Sequence, residues 1–278
     1  MSALLEVDDL RVRFGSRRRP TEVLHGVGFE IAPSETLGLV GESGSGKTTI
    51  GRAVLGLVKA SGGTIRFDGR DITGAGRRER RALAKDIQVV FQDPYSSLNP
   101  AMPIGDILSE PLIMQGVTSK DARSRVRTLL DQVGLPSDAA DRRPSEFSGG
   151  QRQRIAIARA LAPEPRLIVC DEPVSALDLT TQARVLDLFV EIQQRTGVAY
   201  LFISHDLAVV RHISDRACVL YRGDIVETGQ VDDVISRPTH EYTKRLILAA
   251  PVADPDRQAE RRRARRELID SERAEAAA

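Results

Sequence analysis

Apolar and polar positions alternate along residues 4–31, in LLEV, LRVRF and VLHGVGFEI. This period of two predicts short strands joined by a polar loop, 15-GSRRRPTE-22. A continuous apolar run, 36-TLGLV-40, comes next, then a glycine-rich turn and a helical stretch from Lys47 to about Leu57. A further strand signal, 64-TIRF-67, ends in the turn dipeptide Asp68-Gly69. Between about 93 and 145 the period changes. In 119-SKDARSRVRTLLDQVGL-135, Ala122, Val126, Leu129, Leu130 and Val133 share one helical face, and Gly134 stands where a C-cap belongs. That pattern predicts a helical insertion. The α/β pattern then resumes, with a helix in 150-GQRQRIAIARAL-161 and a buried strand in 167-LIVC-170. A helix over about 180–195 carries Val185, Leu188, Phe189 and Ile192 on one face, before a buried strand at 198–203 and a hairpin in 217-ACVLYRGDIVETG-229. Such alternation predicts a mostly parallel sheet covered by helices on both faces.

Charge narrows the picture. Of 278 residues, 40 are Lys or Arg and 39 are Asp or Glu, which leaves no strongly basic field for nucleic acid. A hydrophobic share of 41% supplies a core, so an acidic disordered chain is excluded as well. No apolar run approaches the roughly 18–20 residues that cross a bilayer, and Glu6, Asp8 and Asp9 interrupt any signal-peptide core. A cytosolic protein is expected. Cys170 and Cys218 have no metal-ligand spacing and read as reduced, buried thiols. The tail 254–278 mixes acids and bases with few apolar residues and reads as a solvated helix or a disordered segment, its acids cancelling much of the field of 261-RRRARR-266. Only five of the 40 cations are lysines, so each lysine asks for a reason.

Lys47 has one. Residues 41-GESGSGKT-48 match G-x-x-x-x-G-K-[ST], between an apolar strand and a helix. In such a loop the backbone N–H groups of Gly41, Glu42, Ser43, Gly44, Ser45 and Gly46 can close around phosphate oxygens, and the helix N-terminus, reaching Thr49, adds a partial positive charge. Lys47 can reach the β- and γ-phosphates, and the Thr48 hydroxyl can bind Mg²⁺. A P-loop needs an acidic partner at the end of a neighbouring buried strand, and 167-LIVCDE-172 supplies it. Asp171 is placed to hold Mg²⁺ and Glu172 to orient or deprotonate the attacking water.

Four further motifs follow in order. The stretch 147-FSGGQRQR-154 resembles the signature motif of ABC ATPases, with Phe147 where Leu is usual, and 91-FQDP-94, 175-SALD-178 and 203-ISHD-206 are similar to that family's Q-loop, D-loop and switch-histidine segments. The resemblance covers about residues 4–250. It implies a P-loop NTPase of RecA-like α/β core with an antiparallel β subdomain and an inserted α-helical signature subdomain. The expected domain spans 1–253, with the helical part at about 93–160 and a C-terminal extension at about 230–253.

The resemblance also implies roles. Two ATPase domains would close head to tail around two ATP molecules, so that Ser148, Gly149, Gly150 and Gln151, at a helix N-terminus, face the γ-phosphate held by the partner's P-loop. Gln92 would sense Mg²⁺ and nucleotide and relay closure to a membrane partner. His205 would contact the γ-phosphate and Asp178 would organise the dimer face. Phe14 either stacks on adenine, where the family more often has Tyr, or packs as a core strand residue.

Three function classes are weighed: the motor of a membrane transporter, a soluble ABC ATPase acting on ribosomes or DNA, and a metabolic P-loop kinase or GTPase. The last has no use for SGGQ, SALD and ISHD. Compact spacing between Lys47 and Ser148, with near-zero net charge, favours the transporter. Cargo rests on resemblance alone. The segments 86-DIQVVFQDPYSSLNP-100 and 237-RPTHEYTKRLILAAP-251 are similar to the oligopeptide/dipeptide importer branch, which includes nickel importers; the second departs at Glu241, where the branch has Pro. The resemblance implies a peripheral subunit on the cytoplasmic face of the membrane. Its partners would be two transmembrane permeases, a second ATPase subunit, identical or homologous, and an extracytoplasmic solute-binding protein. Peptides are the expected cargo, with nickel or another small solute as the alternative.

Overall fold

The alternating segment at the start of the chain folds as one long hairpin. β1 (Leu5–Ser16) pairs antiparallel with β2 (Arg19–Ile31), in a register that sets Leu5 against Ile31 and Val12 against Leu24. The three short strands and polar loop expected from the pattern are thus corrected to two strands. Residues 15–22 belong largely to the ladder, because polar side chains on the wet face of an antiparallel ribbon do not end it. A computed structural model of the chain describes residues 2–16 and 19–249, and the charged segment 254–278 lies outside them.

After β3 (Thr36–Val40) and α1 (Lys47–Val54), the chain returns as β4 (Gly62–Phe67) and β5 (Arg70–Asp71), completing a four-stranded sheet of order β2-β1-β4-β5. Asp68 and Gly69 both have positive φ, as a two-residue hairpin of type I′ requires. α2 (Arg77–Leu83), which the pattern did not predict, buries no residue.

The second sheet has six strands in the order β10-β9-β3-β8-β7-β6. It comprises β6 (Ile87–Val90), β7 (Leu167–Asp171), β8 (Ala199–Ser204), β9 (Arg216–Tyr221) and β10 (Asp224–Gln230) beside β3. All neighbours are parallel except β10, which turns back on β9 at the edge. Every residue of β3 and β8 is buried, which is why their sequences read as unbroken apolar runs. Side-chain parity divides the core. Leu201 and Ile203 face α1 and the four-stranded sheet, where Leu5, Val12 and Ile50 meet them. Tyr200 and Phe202 face the other way, edge-on to the Phe189 ring at 5.5 and 5.7 Å. Each such aromatic pair adds about 0.5–1.5 kcal/mol beyond its burial.

The stretch between β6 and β7 is helical, as its period predicted. It contains α3 (Pro94–Ser97), α4 (Ile104–Met114), α5 (Ser119–Gln132), two 3₁₀ turns (Ser137–Asp141 and Pro144–Glu146) and α6 (Gly149–Leu161). α5 buries Ala122, Val126, Leu129 and Leu130, and Gly134 ends that segment at φ +65°. Ile155 and Ile157 of α6 join these residues to Ile168, Tyr200 and Phe202, so the insertion and the sheet share one core. α7 (Leu179–Thr196), α8 (Leu207–Ile213), α9 (Val231–Ser236) and α10 (Glu241–Ala249) complete the described residues. None of these helices is long and apolar enough to cross a membrane. Cys170 and Cys218 are free and buried.

This topology brings four loops together. β3, β8 and β7 are adjacent and parallel, with Val40 beside Ser204 and Ile203 beside Asp171, and β6 flanks them with Val90 beside Cys170. The segments holding Gly41–Lys47, His205, Glu172 and Gln92 therefore leave the same end of the sheet, where open α/β folds place ligands.

Candidate phosphate-binding site

The loop after β3 is shaped by its glycines. A Cβ on Gly41 would lie 2.2 Å from the Leu220 carbonyl oxygen of β9, so no larger residue fits without moving backbone. Gly46 precedes α1 at φ +113°, a conformation that favours glycine. With no side-chain cap and no acid in its first turn, α1 leaves its N-terminal N–H groups available to an anion. The Ser45 hydroxyl is buried without a hydrogen-bond partner. Lys47 is buried too, and its ammonium donates to the carbonyls of Gly41 at 2.7 Å and Glu42 at 2.8 Å. Burial pushes Lys47 below the usual lysine range, against the opposing pull of Glu172, Asp171 and Glu42.

Acids from β7 face this loop. The Thr48 hydroxyl donates to Asp171 Oδ1 at 2.9 Å. Burial raises the Asp171 carboxyl above the usual range, and the Thr48 bond and Arg52 offset part of that rise. Glu172 follows at φ +50°, in left-handed backbone that a glutamate rarely adopts. Its N–H donates to the Ile203 carbonyl at 3.0 Å, and its Oε2 accepts from His205 Nδ1, also at 3.0 Å. Glu172 and Gln92 line a cleft of about 280 Å³ together with Lys47, Thr48, Thr49, Ser43, Gly44 and Gly46.

Ser148, Gly149, Gly150, Gln151 and Asp178 form a second cluster; none of them lines that cleft. Ser148 caps α6 by accepting from the Gln151 N–H at 3.3 Å, and Gln151 Oε1 accepts from the Ser148 N–H at 2.9 Å. This reciprocal capping box gives Gln151 a local job. Asp178 caps α7 by accepting from the Thr181 N–H at 3.0 Å, and the Thr181 side chain together with that N–H holds its carboxyl below the usual range. The two helix starts touch: a Cβ on Gly150 would lie 2.3 Å from Thr181 Cγ2, whereas one on Gly149 would have room. Phe147 is buried beneath the Arg142 guanidinium, 4.4 Å from its ring centroid.

The sequence profile of the family described as ABC transporter matches residues 24–175. The chain belongs to the ABC transporter family. It is similar to a putative peptide import ATP-binding protein of Brucella ovis, 52% identical over 259 residues, which cover 93% of this chain and 82% of that one. It is similar also to the oligopeptide transport ATP-binding protein OppF of Salmonella typhimurium, 48% identical over 91% of this chain and 79% of that one. Among solved structures, cbiO1 of Clostridium perfringens, part of the ABC transporter complex cbiONQ, gives a TM-score of 0.77 at 28% identity over 85% of this chain and 92% of that one. A dimeric, post-hydrolysis ATP-binding cassette, MJ0796 bound to ADP and Pi, gives 0.74 at 26% identity over 82% and 98%.

Four further positions of this ABC transporter chain bear on the site. Phe14, on β1, is 45% exposed, so its reading as a core residue is overturned. It pairs with Thr21 on the hairpin whose Leu24 side chain closes on Gly46. Tyr242 and Glu227 were not among the expected site residues. Tyr242 accepts a hydrogen bond from the Glu42 N–H at 2.9 Å. Glu227 accepts from the Thr239 N–H and hydroxyl at 2.7 and 3.0 Å and from the His240 N–H at 3.1 Å, fixing the approach to α10. Tyr242 lies in the importer-like segment already singled out, but nothing in its spacing pointed at the loop 200 residues away. Glu227 carried no signal. Glu241 is the first residue of α10, a position that suits an acid as well as a proline, which accounts for the departure from the branch pattern.

Proposed function

We propose that the chain is the ATP-hydrolysing motor subunit of a peptide importer, peripheral to the cytoplasmic face of the membrane. ATP hydrolysis follows from membership of the family, and the peptide cargo is supported by the relatives named for peptide and oligopeptide import. The observation that carries the reading of the site is the pair of contacts Thr48 on Asp171 and His205 on Glu172, with Thr48 and Glu172 lining the same cleft as Lys47.

The donor set fits MgATP. A capless helix start, a buried hydroxyl without a hydrogen-bond partner among the described residues and a buried ammonium hydrogen-bonded to neutral carbonyls suit a polyphosphate. Thr48, Asp171 and Gln92 are the oxygen donors that would hold Mg²⁺. When bound, ATP supplies the transferable phosphoryl group and Mg²⁺ neutralises its oxygens. Glu172 takes the proton of a water in the cleft, and His205 fixes the carboxylate that does so. Phe14 would offer its exposed ring to adenine. Because the α6 start stands outside this cleft, Ser148, Gly149 and Gly150 would complete a second chain's site, with Asp178 at the same face. The partners of this motor would be a second ATPase subunit, two permeases and a solute-binding protein, with no role for nucleic acid.

Reconstitution in proteoliposomes with cognate permeases and binding protein tests cargo and geometry together. ATP-dependent uptake of labelled di- and oligopeptides is expected, and uptake of nickel without peptide would overturn the cargo. A pair of subunits carrying Lys47→Ala on one and Ser148→Arg on the other keeps one intact site and should retain partial turnover. If it behaves like a pair with one defect in each site, the in-trans geometry is wrong.

A further inference from the structure

The phosphate loop is held from outside by the last elements of the chain. The turn between β9 and β10 contributes Gly223, whose N–H donates to the Ser45 carbonyl at 2.9 Å, and the end of β9 contributes Leu220, whose carbonyl lies against Gly41. From α10 comes Tyr242, 2% exposed, its ring stacked on Tyr221 at 4.1 Å between centroids. Its hydroxyl accepts from Glu42 N–H, and that N–H belongs to the same peptide unit as the Gly41 carbonyl on which Lys47 rests. One peptide plane is therefore pinned from both edges, by an ammonium on its oxygen and a phenol on its hydrogen. A cation on the carbonyl also polarises the unit and strengthens the N–H as a donor.

We propose that Tyr242 is a positioning residue for the phosphate loop: its hydroxyl fixes the Gly41–Glu42 peptide plane, so that docking of the C-terminal helix sets the affinity for nucleotide. The inference rests on the reading of residues 41–48 as the phosphate-binding loop. Without the hydroxyl, the plane can turn, the partly buried Glu42 N–H loses its acceptor and Lys47 loses one fixed support. The approach to α10 is set in turn by Glu227, through Thr239 and His240, and by His240 Nδ1, which accepts from the Tyr242 N–H at 3.1 Å. Nucleotide affinity and helix docking are then linked, and linkage is reciprocal: what α10 adds to ATP binding, ATP adds to the protection of α10.

The test uses the full chain for binding and the assembled transporter for turnover. Tyr242→Phe keeps the ring against Tyr221 and removes one oxygen. ATP binding should weaken roughly 3- to 10-fold, the scale of one partly buried hydrogen bond lost. KM should rise with it, while kcat at saturating ATP stays within about twofold, since in this reading the hydroxyl touches neither phosphate nor water. ATP should slow amide exchange in α10 of the parent chain and do so less in the variant. Glu227→Gln, which loosens the same helix from its other side, should shift affinity in the same direction, so the inference does not hang on one variant folding. Unchanged ATP affinity in both variants, with only a lowered melting temperature, would mean that α10 is simply a structural prop. Lys47→Ala separates the two claims. If it too leaves ATP binding intact, the phosphate-loop reading has failed; if it abolishes binding while Tyr242→Phe does not weaken it, the inference alone has failed.

Discussion

Strain and proposed chemistry coincide at Glu172, and three substitutions can pull them apart. Its φ of +50° places a glutamate in left-handed backbone, at a cost of about 1–2 kcal/mol. The ladder bond to Ile203 and the contact with His205 hold it there. Its side chain is 17% exposed and that of His205 55%, so their pair adds little stability of its own. Glu172→Gln keeps shape and backbone but removes the base. A positioned general base contributes about 10²- to 10⁴-fold, so phosphate release by the assembled transporter should fall at least about 100-fold while ATP still binds. Glu172→Ala and Glu172→Gly both delete the carboxylate, but only glycine relieves the backbone. Glycine returns about 1–2 kcal/mol of strain and loses about 0.4–1 kcal/mol to the greater freedom of its unfolded chain. The difference, about 1 kcal/mol, predicts that the glycine variant melts about 2–4 °C above the alanine variant. Near-normal turnover in Glu172→Gln would refute the base, and a glycine variant melting below the alanine one would refute the strain.

Gly41→Ala should cost about 1–3 kcal/mol of stability, the scale of overpacking, because the added methyl meets the Leu220 carbonyl at 2.2 Å and neither backbone can step aside. Calorimetry checks it, and an unchanged melting temperature would mean that the loop and β9 are not packed as described. Glu227 provides a pH signature. Burial alone would raise its carboxyl, but hydrogen bonds that include those from Thr239 and His240 outweigh it and leave the group below its ordinary 4.5. The stabilisation is therefore complete above about pH 4.5 and fades as pH falls through the depressed value. Melting temperatures of the parent chain should drop more steeply below pH 4.5 than those of Glu227→Gln, and parallel curves would refute the assignment.

Much of this architecture was readable because burial writes itself into sequence. β3, β7 and β8 are buried on both faces, so each appears as an uninterrupted apolar run, and α5 shows its buried stripe at Ala122, Val126, Leu129 and Leu130. The hairpin was cut into too many pieces because Arg13, Thr21 and Glu22 pair across a ladder whose outer face is wet. α2 escaped because RRERRAL has no fully buried residue, Leu83 being only partly covered by the core. In the site, each motif was legible and the resemblance implied that they share one nucleotide, yet the direct contacts between their side chains were not legible. The Glu172–His205 contact depends on β7 and β8 being neighbours, and the Tyr242–Glu42 bond on a return of the chain from the far edge of the sheet. Spacing along a sequence does not encode strand order, so tertiary partners such as Glu227 leave no local trace.

Lys47, buried in the cleft, and Asp171, partly buried beside it on Thr48, explain why the loop is poised for one particular ligand pair in the proposed reading. Burial acts on both in the direction that opposes charge: it lowers Lys47 and raises Asp171. Neither has an ion pair among the described residues, since Lys47 rests on two carbonyls and Asp171 on a hydroxyl. Mutual neutralisation is not taken either, for the Lys47 ammonium is turned back onto its own loop. A polyanion would satisfy the lysine and a divalent cation the aspartate, so anion and cation together relieve both penalties, and either one alone relieves a single penalty while leaving the other buried charge unmatched. Asp171→Asn should therefore weaken ATP binding far more in the presence of Mg²⁺ than in its absence, because only the cation's contribution is lost. Equal weakening in titrations with Mg²⁺ and with chelator would show that the aspartate supports the loop rather than the metal.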